Sequence, residues 1–180
     1  MASTVLDSFE EKIYGFKLMR LIIDGGTEVL RNIVQNIHSG DLHAVLSTHY
    51  RALLTLFNKR KIITQPQWDK MHPPPPRIPN IQEFDITLLV ILLRNICGLS
   101  PPSTGWNVMP CSTDNSCEAN IVRIKFFRNN FFGHVPETGV SRLDFEAHWV
   151  EVSLALRSLG MNQVKIDRLK AEECGEKEVK

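Results

Sequence analysis

FDITLLVILLRNIC, residues 84–97, is apolar at nearly every position, and on a helical wheel only Thr87 and Arg94 share a narrow polar strip. A helix that is hydrophobic almost all round must be surrounded by other helices, so this segment predicts the central helix of an all-α bundle. Its longest largely apolar run, Ile86 to Leu93, is far short of the roughly 20 residues needed to cross a bilayer. Arg94 ends that run, and a buried carboxylate is its expected partner.

Upstream, Leu6, Phe9, Ile13, Phe16 and Leu21 recur at helical spacing over about residues 5–23. The cluster Asp24-Gly25-Gly26-Thr27 is expected to break or cap that pattern before Val29, Leu30, Ile33, Val34 and Ile37 resume it, giving two helices and a tight junction. A third helix is expected after Ser39-Gly40-Asp41, carrying Leu42, Val45, Leu46, Leu53, Leu54 and Phe57. Residues 72–79, HPPPPRIP, cannot be helical and predict an extended polyproline spacer. Lys70, Pro73 and Pro76 also fit the spacing of an SH3 ligand, although a stiff link between helices already accounts for the prolines.

Downstream, residues 99–117 form a long connection with Pro101, Pro102, Gly105 and Pro110, which Trp106 is expected to pin to the bundle. Ser116 is placed to cap a helix over 118–134, EANIVRIKFFRNNFFGH. On its wheel Ile121, Ile124, Phe127, Phe131 and Phe132 share one arc with Arg128 near the middle, so that guanidinium must be buried with a partner or stand at an interface. A helix from about Arg142 to Leu159 follows, with Leu143, Phe145, Trp149, Val152 and Leu156 as its inner face and His148 at the surface or core edge. A last helix at about 162–172 precedes a charged tail. No strand alternation, internal repeat or phosphate-cradling glycine loop appears, which excludes nucleotide-triphosphate and dinucleotide enzymes.

Composition sets further bounds. At 180 residues and 43% hydrophobic the chain supports one domain, taken as residues 1–175 with 176–180 as tail or linker. A net charge of +1 offers no global basic field, so any affinity for nucleic acid must be local. Cys97, Cys111, Cys117 and Cys174 lack metal-ligand spacing, so no metal site is expected. With no secretory h-region near the N-terminus, reduced thiols and a cytoplasmic location are expected.

Chemistry concentrates at Arg128-Asn129-Asn130-Phe131-Phe132-Gly133-His134. Histidine titrates near neutrality and can take a proton from a ribose 2′-hydroxyl or give one to a leaving 5′-oxygen. Arginine stays charged and grips phosphate with a planar fork, while Asn129 is placed to orient either group. That scheme requires no metal or cofactor. Arg128 and His134 stand about 120° apart around the axis and about 9 Å along it, so one straight helix does not bring them together. Either the helix ends at Gly133 and frees His134, or a second copy completes the site. Spacing alone is unspecific, and the same residues also suit an ion-pair donor and a helix C-terminal histidine.

Several blocks in order give the segment its context: LIIDGGTEVLRNI (21–33), PQWDKM (66–71), FDITLLVILLRNICGLSPPSTGW (84–106), EANIVRIKFFRNNFFGH (118–134) and FEAHWVEVSLALRSLG (145–160). Together they resemble the HEPN superfamily, in the animal branch found in an RNA-binding RING-type ubiquitin ligase and in invertebrate death- or NACHT-domain immune proteins. The resemblance implies a four-helix core with additional N- and C-terminal helices. Arg128, Asn129 and His134 match the superfamily's R-polar-x4-H signature, which implies metal-independent endoribonuclease chemistry at a homodimer interface formed by the 118–134 helix. Arg123, Lys125 and Asn130 are then the expected RNA contacts. The chain departs from the usual pattern at Asn130, where many members carry a carboxylate, and at Phe132, where many carry tyrosine. Members that bind RNA or protein without cutting supply the alternative, a dimerisation or adaptor module within a signalling or ubiquitin-ligase protein.

Overall fold

A computed structural model describes residues 2–134 and 139–174, with side chains described over 9–131 and 139–174. The tail at 176–180 lies outside the described residues. The elements are α1 (Ala2–Arg20), a π-helical turn (Leu21–Gly25), α2 (Gly26–Ile37), α3 (Leu42–Thr48), α4 (Tyr50–Asn58), α5 (Gln65–Met71), a 3-10 turn (Ile81–Glu83), α6 (Ile86–Ile96), α7 (Cys117–His134), α8 (Arg142–Ser158) and α9 (Gln163–Ala171). The described residues are all-helical and contain no strand. Among them no helix is long and apolar enough to cross a membrane.

Four helical units enclose the core. The α1–α2 run packs on α6 and α8, α6 packs on α7, and α7 packs on α8. Leu88, Leu89, Leu92 and Leu93 of α6 are wholly inaccessible, as the apolar run requires. Asp85 fixes where that helix starts, since its carboxylate accepts from the Leu88 N–H at 2.7 Å. Short helices α3 to α5 fill the connection between α2 and α6, and α9 closes against α1 and α8.

The glycine pair at 25–26 does not break the chain. Arg20, Gly25 and Gly26 all hold right-handed helical angles, so α1 and α2 form one run interrupted only by the π-turn. The glycines serve packing instead. A Cβ on Gly26 would stand 2.9 Å from Ile124 Cγ2, and one on Gly25 would stand 2.9 Å from Leu156 Cδ1. Bare backbone here lets α7 and α8 approach closely.

Three other expectations change. The third helix divides at His49 into α3 and α4, next to Thr48, whose hydroxyl donates back to the Ala44 carbonyl at 2.9 Å, a bond that tends to bend helices. The proline segment turns, with the Arg77 N–H donating to the Pro74 carbonyl at 3.1 Å, so it lacks the continuous extension that a polyproline ligand needs. Leu143 is 84% exposed rather than internal. It stands about 160° around α8 from Phe145, whereas Trp149, Val152 and Leu156 share the buried side.

Candidate nucleic-acid interface on α7

Helix α7 is buried around residues 119–124 and emerges at the surface by Asn129 and Asn130. Ser116 caps it as expected, accepting from the Ala119 N–H at 3.1 Å. Ala119, Ile121, Val122 and Ile124 have no accessible surface, whereas Arg128 is half-buried and Asn129 and Asn130 are exposed. The core therefore clamps the first half and leaves Arg128, Asn129 and Asn130 towards the surface on the second. Arg128 Nη1 donates to Asn129 Oδ1 at 3.1 Å, so the Asn129 amide lies directly on the guanidinium.

The helix continues through Gly133 and ends at His134. The route in which Gly133 ends the helix and frees the histidine is therefore absent from the backbone. The His134 side chain, like that of Phe132, lies outside the described residues. The interval between Arg128 and His134 remains about 120° around and about 9 Å along one helix.

The expected RNA contacts diverge. Asn130 faces a cleft of about 550 Å³ between α7 and α8, with Phe127 and Phe131 beside it and Asp144, His148 and Glu151 across from it. His148 is at the surface, its Nδ1 3.8 Å from a Glu151 oxygen. Arg123 turns to the 99–116 connection: Nη2 donates to the Cys111 carbonyl at 2.7 Å, and Nη1 to Asn120 Oδ1 at 2.9 Å. Its charge also helps hold Asp114 below the usual carboxylate range, after the larger effect of the Ser116 hydrogen bonds. Lys125 Nζ lies 3.5 Å from both the Trp106 carbonyl and Asn107 Oδ1. Burial, then the neighbouring Arg94 charge, lowers its pKa below the ordinary lysine value.

Trp106 is buried and pins the connection as expected. Arg94, however, has no carboxylate partner among the described residues: it is exposed and its Nη1 donates to Asn107 Oδ1 at 3.1 Å. It lies in the last turn of α6, where the side chain reaches the connection instead of the core. No local signal marks Asn107 as the link between Arg94 and Lys125, because that arrangement spans two helices and a loop. Among the described residues no three histidine, cysteine, aspartate or glutamate side chains are placed to hold a metal ion.

The all-helical architecture and the signature-bearing helix define a HEPN-type module. More narrowly, the chain belongs to the DZIP3/hRUL138-like HEPN family, which matches residues 39–180. It is 28% identical over 160 residues to the E3 ubiquitin-protein ligase DZIP3 of Homo sapiens, and to the same extent to that of Mus musculus. Each match covers 87% of this chain and 13% of the relative, so the chain spans a small part of those proteins' length. No solved structure matches it.

Proposed function

We propose that this domain is a metal-independent endoribonuclease module whose site is completed by the α7 helix of a second copy. The observation that carries the reading is the Arg128–Asn129 hydrogen bond on the half of α7 that emerges from the core. Arg128 grips the scissile phosphate and stabilises charge on its equatorial oxygens, with Asn129 fixing the guanidinium plane. His134 of one copy takes the proton from the ribose 2′-hydroxyl, whose oxygen forms a bond to phosphorus. The bond from phosphorus to the 5′-oxygen breaks, and that oxygen receives a proton from water, so each site needs one arginine and one histidine. The products are a 2′,3′-cyclic phosphate and a free 5′-hydroxyl. The unbroken helix through His134 supports assembly between copies over a site within one copy.

Mixing two inactive variants tests this arrangement. Arg128→Ala and His134→Ala are each inactive alone, and a dimer containing one of each regains cleavage by pairing the intact arginine of one copy with the intact histidine of the other. A mixture that forms mixed dimers and stays inactive refutes the shared site.

A second reading, a non-catalytic RNA-binding or interaction module, draws on the engagement of Arg123 by the connection and on the carboxylates of the cleft facing Asn130. The relatives' description as ubiquitin ligases supports a parent protein with ligase domains, for which such a module would supply recognition. Under this reading Arg128→Ala weakens a dimer while RNA remains intact. Both readings place the protein in the reducing cytoplasm.

A further inference from the structure

Arg94, Asn107 and Lys125 form an arrangement that the signature does not include. Two cations from different helices, α6 and α7, converge on one neutral atom: Asn107 Oδ1 is 3.1 Å from Arg94 Nη1 and 3.5 Å from Lys125 Nζ. Among the described residues neither cation is ion-paired with a carboxylate. Arg123 differs, because Asp114 lies close enough to feel its charge. Like charges brought this close are costly unless an anion joins them, and an amide oxygen supplies only a partial negative charge. The lowered lysine pKa records the same repulsion together with burial.

Position gives the anion its identity. Lys125 and Arg128 are three residues apart on α7, and therefore neighbours on its surface. An anion held by Arg94 and Lys125 lies next to whatever Arg128 holds, as successive phosphates of one strand do. We propose that Arg94, Lys125 and Asn107 form a second phosphate subsite, which takes the RNA backbone phosphate adjacent to the one gripped by Arg128. The inference rests on the RNA-directed reading above and adds the direction of the strand, from α7 across to the end of α6. Asn107 stands between the two cations, its Oδ1 within 3.5 Å of each. The amide donates to a phosphate oxygen while its own oxygen accepts from the cations.

The test measures binding of a labelled single-stranded RNA in EDTA across a salt series, in a His134→Ala background that keeps the RNA intact. Asn107→Asp places a carboxylate between the cations. It folds at least as stably as its parent, binds RNA several-fold more weakly, and shows a salt dependence shallower by about 0.7 for each phosphate that the protein no longer neutralises. Arg94→Gln gives the same reduced slope, and Arg94→Lys restores part of it. If Arg94 and Lys125 only anchor the connection, Asn107→Asp strengthens that anchorage and leaves RNA binding and its slope unchanged. That result, with Arg128→Ala still weakening binding, overturns the subsite and leaves the RNA-directed reading standing. Failure of the parent to bind RNA overturns both. Displacement of the RNA by inorganic phosphate at equal phosphate concentration also overturns it, because a backbone subsite gains from its tether to the neighbouring phosphate.

Discussion

Replacing Gly26 with alanine tests how closely the helices pack at the start of α2. Its new Cβ would stand 2.9 Å from Ile124 Cγ2 and 3.2 Å from Ile86 Cδ1, both on buried side chains. Cγ2 of a β-branched residue cannot retreat by a distal rotation, so α7 or the backbone of α2 must yield. Overpacking of this kind costs about 1–3 kcal/mol, whereas alanine in place of helical glycine returns about 1 kcal/mol. The expected balance is a net loss of about 1 kcal/mol, or a Tm lower by about 2–4 °C in a chain of this size. Gly25→Ala meets Leu156 Cδ1 at 2.9 Å and Met161 Cε at 3.3 Å, the far ends of side chains that can move. It should remain within about 0.5 kcal/mol of wild type, since the same helix gain opposes a smaller strain. Urea unfolding followed by helical circular dichroism, with m-values compared, separates the two variants. A Gly26→Ala protein about 1 kcal/mol more stable than wild type would refute the close approach. Equally severe destabilisation in both variants would refute the continuous helix and restore a turn at the glycines.

Asp85→Ala removes the cap on α6 and should cost about 1 kcal/mol in the same unfolding assay, while Asp85→Asn retains most of it. Arg123→Ala frees the Cys111 carbonyl, so residues 99–116 should exchange amide hydrogens and be cut by protease faster, with the bundle still folded. Alkylation mapped by mass spectrometry should label Cys111 first, because its thiol is exposed and hydrogen bonds from Thr113 lower its pKa. Its thiolate fraction rises with pH from below the ordinary cysteine value. Cys97, pushed up to about 11 by burial, should label only on unfolding.

Much of the fold is legible in the sequence because it depends on local signals. The all-round apolar pattern of α6 reads directly as a central helix, and Asp41 and Ser116 mark the starts of α3 and α7. The glycine pair misleads because helix breaking and close packing leave the same local mark, and only Ile124 and Leu156, distant in sequence, distinguish them. Leu143 has the chemistry of an inner residue, although its angle on α8 points away from Phe145 and Trp149. At the site, the Arg128–Asn129 hydrogen bond follows from adjacency and is foreseeable. The links of Arg94, Arg123 and Lys125 to Asn107, Cys111 and Trp106 are not, since they lie on an irregular connection whose path no periodicity encodes.

The central claim, RNA cleavage by the signature residues of α7, is tested most directly by incubating wild type and His134→Ala with labelled mixed-sequence RNA in EDTA, with the mass of each protein taken by light scattering. The account predicts two-copy proteins of equal fold, with fragments ending in cyclic phosphate from wild type alone. Intact RNA with dimeric wild type, or equal cleavage by both proteins, would contradict it.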